Sequence, residues 1–259
     1  MNGSSRSIAI KKNIIASLFL KGISILVSLQ VVPLTINYIN PTRYGIWLTL
    51  SSIVAWLSYF DLGFAHGFRN RFAEAVAKGD MQLAREYVST TYVVLSLLFS
   101  SVFLIAIVVN HFVDWSAILN VDAAYSSELN IVFGILAFFF CLNIVASIFT
   151  TMLTANQKPA LASLIQTLGQ VFGFICIYIL TKTVPGNLDV LAFAFSGVPC
   201  FLLIIISIGM FLSGRYRHLS PSFHFVHFSL TKKIVGLGGQ FFITVSYTHL
   251  RAHETDSYL

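Results

Sequence analysis

Long unbroken apolar runs alternate with short polar breaks along this chain, and the length of the runs sets the fold. A helix needs about 20 residues to cross ~30 Å of hydrocarbon. Runs of that order cover residues 13–38, 44–64, 89–109, 131–153, 161–183 and 189–212. Their apolar residues are continuous rather than alternating, and each run far exceeds the ~10 residues of a barrel strand, so strands are excluded. The pattern predicts an all-α polytopic membrane helix bundle with six transmembrane helices. A seventh run begins at Ile234 and reaches Ser246. At 1.5 Å per residue it extends only ~20 Å, too short to cross. Residues 1–233 then form a six-helix lobe, 234–245 the start of a second lobe, and 246–259 a tail.

Two polar stretches carry a helical apolar stripe. Phe64, Phe68 and Phe72 recur at i, i+4 and i+8, while Arg69, Asn70, Arg71, Glu74 and Lys78 occupy other faces. This spacing predicts a helix at the membrane surface with its arginines near lipid phosphates, closed by Gly79-Asp80. Residues 218–233 read as a second interfacial segment broken at Pro221.

Composition agrees with the runs: 56% of the residues are hydrophobic and only 10% charged, with a mean hydropathy of +0.81. Soluble domains carry about a quarter charged residues, so much of this surface must face lipid. The formal charge of +6 is not gathered into one patch, which excludes a nucleic-acid partner. It is sorted by side instead. Arg6, Lys11, Lys12, Arg69, Arg71, Lys78, Arg85, Lys158, Arg215, Arg217, Lys232 and Lys233 fall on one side of the predicted spans, and Arg43 and Lys182 on the other. The excess places the amino terminus in the cytoplasm. Arg6, Lys11 and Lys12 precede the first run, but it is too long for a signal core and lacks a small-x-small cleavage site, so it reads as a retained anchor. Cys141, Cys176 and Cys200 lie inside apolar runs and read as small hydrophobes.

Charges inside spans are costly and ask for a role. Lys21 lies about nine residues into the first span, and at 100° per residue it shares a face about 60° wide with Ser17, Ser24, Ser28 and Thr35. Asn143, Ser147, Thr150 and Thr154 form a similar stripe in the fourth span. Ser163, Gln166, Thr167 and Gln170 form a wider one, about 100°, in the fifth. Together they predict a hydrated cavity between helices; helix packing and backbone bonding are the alternative use for the hydroxyls, and snorkelling for Lys21. Asp61, with Arg69 two turns on, reads as a structural ion pair or helix-end partner, with ion coupling as the alternative. Gly63 with Gly67, and Gly169 with Gly173, have the GxxxG spacing that permits close helix contact, and Pro33 and Pro199 predict kinks.

No catalytic constellation is present, and no cofactor or metal is expected. His224 and His227 read as interfacial residues. His249 and His253 at i, i+4 beside Glu254 have a metal-like spacing, but nothing upstream supplies further ligands. The closing segment VSYTHLRAHETDSYL resembles the peptide obtained by translating sequencing-adapter DNA at a contig edge, so it is expected to be a non-native tail.

The stretch NYINPTRYGIWLTLSSIVAWLSYFDLGFAHGFRNRFAEAVAKGD, residues 37–80, carries a family resemblance. Its most specific pieces are YGIW, Tyr44 to Trp47, and FDLG with Gly67 and Asn70, where FDLG is Phe60 to Gly63. It resembles the first two spans of the polysaccharide-biosynthesis flippases, the Wzx-type branch of the multidrug/oligosaccharidyl-lipid/polysaccharide exporter superfamily. The resemblance implies a bacterial inner-membrane transporter built of two helix bundles, of which this chain holds the first and lacks most of the second. Its cargo would be an undecaprenyl-diphosphate-linked oligosaccharide moved from the cytoplasmic to the periplasmic leaflet, such as an O-antigen, capsule or exopolysaccharide repeat. Membrane lipids, glycosyltransferases and a glycan polymerase would be its working partners. Lys21 would supply the cation for the diphosphate, and Ser17, Ser24, Ser28, Asn143, Ser147, Gln166 and Gln170 would line the passage. Alternatives are a drug/cation antiporter of the same superfamily, a membrane enzyme of glycan assembly, and a scaffold subunit without transport.

The orientation is testable in cells. Alkaline phosphatase, active only outside the cytoplasm, should be active when fused after Asp122 and inactive when fused after Lys158. The reverse pattern inverts the topology.

Overall fold

The structure, a computed structural model, describes residues 3–57 and 63–236, with side chains described from Asn13 onward. It is an all-α bundle. Helix α1 spans Gly3–Ile39, α2 Pro41–Ala55, α3 Phe64–Ala77, α4 Met81–Phe112 and α5 Trp115–Leu119. They are followed by α6 Ser126–Ala146, α7 Ile148–Ala155, α8 Pro159–Thr183 and α9 Leu188–Leu212. Short 3-10 turns occupy Ala123–Tyr125, Arg217–Leu219 and Phe223–Phe225, and the chain is helical again over 229–236.

Five stretches among the described residues are long and apolar enough to cross a membrane: Asn13–Ile39, Met81–Phe112, Ala123–Ala155, Pro159–Thr183 and Leu188–Leu212. They match the first, third, fourth, fifth and sixth expected spans. The second differs. Its described part is the 15-residue α2, ~22 Å long, and residues 58–62 lie outside the described residues. Asp61 and most of the FDLG element therefore fall outside them too. So do residues 237–259, which hold most of the seventh run and the whole 246–259 tail with His249 and His253.

Local chemistry explains the breaks. Asn40 adopts a left-handed φ of 74° and its side chain accepts the Arg43 N–H, while Pro41 starts α2 where no amide donor is needed. Gly63, at φ 79°, turns the chain into α3, and Asp80 caps α4 by accepting the Leu83 N–H at 2.9 Å. Asp114 caps α5 and accepts from the Ser116 hydroxyl and the Ser116 and Ala117 amides, which hold its carboxyl below the usual range, the hydroxyl contributing most. Between α6 and α7 the hydroxyls of Ser147 and Thr150 bond the carbonyls of Ile144 and Ser147, at 2.7 and 2.8 Å. Such back-bonding bends a helix.

Helix α8 packs against α1 and α9, α9 against α6, and α6 against α4; α2 lies across α1, α6 and α9. Two apolar cores result, one near each end. The first gathers Phe68 and Phe72 of α3, Phe99 of α4, Phe149 of α7, Phe211 of α9 and Tyr216 beyond it. The second gathers Trp47 of α2, Trp115 of α5, Phe133 of α6 and Leu191 of α9. The Phe64-Phe68-Phe72 stripe predicted to face lipid is instead buried against α4 and α7. Burial satisfies the same amphipathic pattern that a bilayer surface would, so periodicity alone could not separate the two. On the outer side of α3, Lys78 and Arg71 both bond Glu74, at 2.8 and 3.0 Å. The Lys78 bond is the larger cause holding the Glu74 carboxyl below its usual range.

The ends of the bundle differ in charge. Asn13 donates to the Gln157 carbonyl, which sets this part of α1 beside the turn that leads into α8. Arg69, Arg71, Lys78, Arg85, Lys158, Arg215, Arg217, Lys232 and Lys233 all belong to this end by their places in the helices. The opposite end holds Arg43, Lys182, Asp114, Glu128 and Asp189.

Close backbone contact ties the two hairpins at that opposite end. A Cβ on Gly186, between α8 and α9, would run into the Tyr38 carbonyl oxygen. Gly186→Ala should therefore cost ~1–3 kcal/mol by overpacking. A lower unfolding midpoint in detergent would register it, whereas Gly45→Ala, inside α2 with open space around it, should raise stability by ~0.5–1 kcal/mol.

Candidate functional site

Helices α1 and α8 run parallel, and hydrogen bonds recur between them. Thr167 donates to the Leu20 carbonyl at 3.4 Å, the Ser24 hydroxyl bonds the Gln170 side chain, and the Tyr38 hydroxyl reaches the Pro185 carbonyl at 3.2 Å. The polar stripes read from the first and fifth spans thus meet each other. The Ser28 hydroxyl donates to the Ser24 carbonyl, and that of buried Thr35 to the Val31 carbonyl. Ser17 Oγ is buried without a partner among the described residues. The opposite face of α1 carries exposed Ile15, Leu18, Phe19, Leu26 and Leu29, an apolar surface suited to lipid.

Above the Ser24–Gln170 bond a cavity of about 360 Å³ opens between α1, α2, α8 and α9. Ser28, Thr35 and Gln170 give it polarity, and Tyr44, Trp47, Phe174 and Phe195 give it aromatic walls. A second cavity of about 440 Å³ lies between α2, α6 and α9. Asn143, Ser147 and Ser196 line it, with Ser51, whose hydroxyl is buried and unpartnered among the described residues. Trp47, Phe195 and Pro199 belong to both cavities. The Trp47 and Phe195 rings meet edge-on at 5.1 Å and form the partition. Pro199, in mid-α9, fits against α8 where a Cβ on Gly169 would stand 3.2 Å from its Cα and one on Gly173 3.5 Å from its Cγ. The second GxxxG pair therefore works as expected, by letting α9 approach α8.

The predicted residues divide. Ser28 and Gln170 line the first cavity, Asn143 and Ser147 the second, and Ser24 braces Gln170. Lys21 is exposed and lines neither cavity. It shares the level of Thr167, ~12 Å along α8 from its start, between the basic end of the bundle and the first cavity. Gln166 is exposed at that same level, and Ser17 lies one turn nearer the basic end. Arg69 is exposed at the basic end, and Asp61 lies outside the described residues. Thr150 and Thr154, from the fourth-span stripe, bond the carbonyls of Ser147 and Thr150 rather than lining the cavities.

Sequence reasoning missed the aromatic walls. Trp47 was legible only as part of YGIW, and Phe195 with Pro199, at i and i+4, looked like any apolar helix face. It also missed the outer ion network. Arg43 of α2 pairs with Glu128 of α6 at 3.3 Å, donates to the Gly186 carbonyl at 3.2 Å and lies 5.6 Å from the Tyr125 ring. Asp189 of α9 acts electrostatically on the same group. The only sequence signal was three charges at three span ends. Among the described residues, no three His, Cys, Asp or Glu are grouped to hold a metal ion.

The Arg43–Glu128 pair, with side chains 29% and 19% exposed, joins elements far apart in sequence. Arg43→Met should lower stability by ~1.5–3 kcal/mol, the range for hydrogen bonds to charged groups. Arg43→Met/Glu128→Gln should recover part of that loss. Additive losses in the double-mutant cycle would show the pair to be uncoupled. Compared with known protein families, curated proteins and solved structures, the chain has no significant match in any of the three.

Proposed function

We propose that this chain is the first bundle of a transporter that moves an amphipathic glycan-bearing lipid, of the undecaprenyl-diphosphate-oligosaccharide class, across the bacterial inner membrane, with its amino terminus in the cytoplasm. The observation that carries the reading is the pair of adjoining cavities at mid-depth, walled by amides, hydroxyls and aromatic rings. Ligand sites in membrane transporters sit near the midplane between helices, and ligand pockets of about 300–1,000 Å³ are typically walled by apolar and aromatic side chains with a few placed polar groups. Gln170 and Asn143 offer donors and acceptors to sugar hydroxyls, and Tyr44, Trp47 and Phe195 offer faces to the rings' C–H surfaces. An anionic diphosphate entering a low-dielectric space needs a counter-charge. Lys21, on the path from the basic end to the Gln170 cavity, supplies it. The lipid tail stays in the bilayer beside the apolar face of α1. A second bundle, glycosyltransferases and a glycan polymerase complete the working system, in which rocking of one bundle against the other exposes the cavities to each side in turn.

The test uses cells lacking their own glycan-lipid flippase, complemented with the full-length gene. Restored surface glycan is expected. Lys21→Ala should abolish it and Lys21→Arg keep part of it, while Gln170→Leu and Asn143→Leu each reduce it with protein levels unchanged. Full activity in Lys21→Ala would remove the cationic role. Drug resistance without restored glycan would favour the antiporter reading instead.

A further inference from the structure

Beyond α9 the chain does not leave the bundle. Residues 213–228 fold as a strap across the start of α4, held by buried Tyr216 and Leu219. Two backbone amides fix its height. Ser222 N–H donates to the Ser89 hydroxyl at 3.1 Å, and His227 N–H to the Thr90 hydroxyl at 3.0 Å. Arg85 reinforces them, donating to the Ser220 carbonyl at 2.9 Å while its guanidinium lies 4.1 Å from the Phe225 ring.

Ser89 and Thr90 mark a boundary on α4. Gln82, Arg85 and Glu86 precede them, and from Val93 to Val109 the helix is almost wholly apolar, with Leu97, Leu104 and Ile105 exposed. Helix α4 is 32 residues long, ~48 Å, so about 12 residues lie outside a ~20-residue hydrocarbon span. The anchored amides therefore sit at the edge of the hydrocarbon. The residue after each one is a phenylalanine turned away from the protein: Phe223 is 88% and Phe228 63% exposed. In water these rings would be among the least favourable surface of the molecule; at that depth they meet acyl chains. The strap and the helix that follows it carry Arg215, Arg217, Lys232 and Lys233, all exposed and without an acidic partner among the described residues.

We infer that the strap is a binding surface for anionic phospholipid headgroups, with Phe223 and Phe228 inserted among the acyl chains and Lys232 and Lys233 on the phosphates. Charge complementarity selects the anionic headgroup, and depth selects lipid. The site is independent of the cavities and of the cargo proposed for them.

Purified protein in mixed phosphatidylglycerol–phosphatidylcholine nanodiscs, stripped gradually and weighed by native mass spectrometry, tests it. The intact protein should retain phosphatidylglycerol in excess. K232Q/K233Q should lower that excess about fivefold for each lysine removed, as expected for basic residues near an anionic surface. K232R/K233R should keep it, and F223A/F228A should release lipid sooner without changing headgroup preference. Each variant is first required to elute as a monodisperse species. Equal retention of the two lipids by the intact protein, an unchanged preference in K232Q/K233Q, or a lost preference in K232R/K233R would each overturn the assignment.

Discussion

Inside hydrocarbon a polar atom has no water to turn to, and this one constraint shapes the bundle from its helix ends to its cavities. The hydroxyls of Ser28, Thr35, Thr49, Ser52, Ser101 and Ser207 each bond a carbonyl four residues earlier. Ser24 and Thr167 find partners across the α1–α8 contact. Where several hydroxyls compete for the backbone, around Ser147 and Thr150, the helix breaks into α6 and α7. Two of the hydroxyls left over, Ser51 and Thr91, border cavities.

Lipid tails are as apolar as leucine, so burial of apolar surface drives helices together weakly here, and close fit has to do more. The fit is tight at the two ends, where the aromatic cores lie, and slack between them. Pro199 accounts for part of that difference. Its ring occupies the groove opened by Gly169 and Gly173, while its missing amide leaves α9 one backbone bond short at the level of both cavities. The backbone bond that Pro199 lacks thus falls where the polar side chains collect.

Run length made the helical class and most spans legible in the sequence, because it is set by bilayer thickness. Stripe arithmetic likewise found Ser24, Ser28, Asn143, Ser147 and Gln170, each of which borders or braces a cavity. It did less well where one pattern satisfies two surroundings. The Phe64-Phe68-Phe72 face would suit lipid or protein equally, and only tertiary packing chose protein. Lys21 shared its stripe with cavity residues, but it sits a turn below the Gln170 cavity, and a stripe does not say at which level a cavity opens. Trp47 and Phe195 carried no periodic mark at all, since an aromatic residue on a buried face and one on a cavity wall look alike in one dimension.

The α1–α8 contact also bears on how the chain is made. Ser24 and Gln170 are separated by 146 residues. At 5–20 residues per second, synthesis leaves roughly 7–30 s between them. During that interval α1 is held in the bilayer by its apolar side while Ser24 and the Leu20 carbonyl wait for their α8 partners. Biogenesis thus includes a period in which the polar edge of the first span stays unmatched until the fifth arrives.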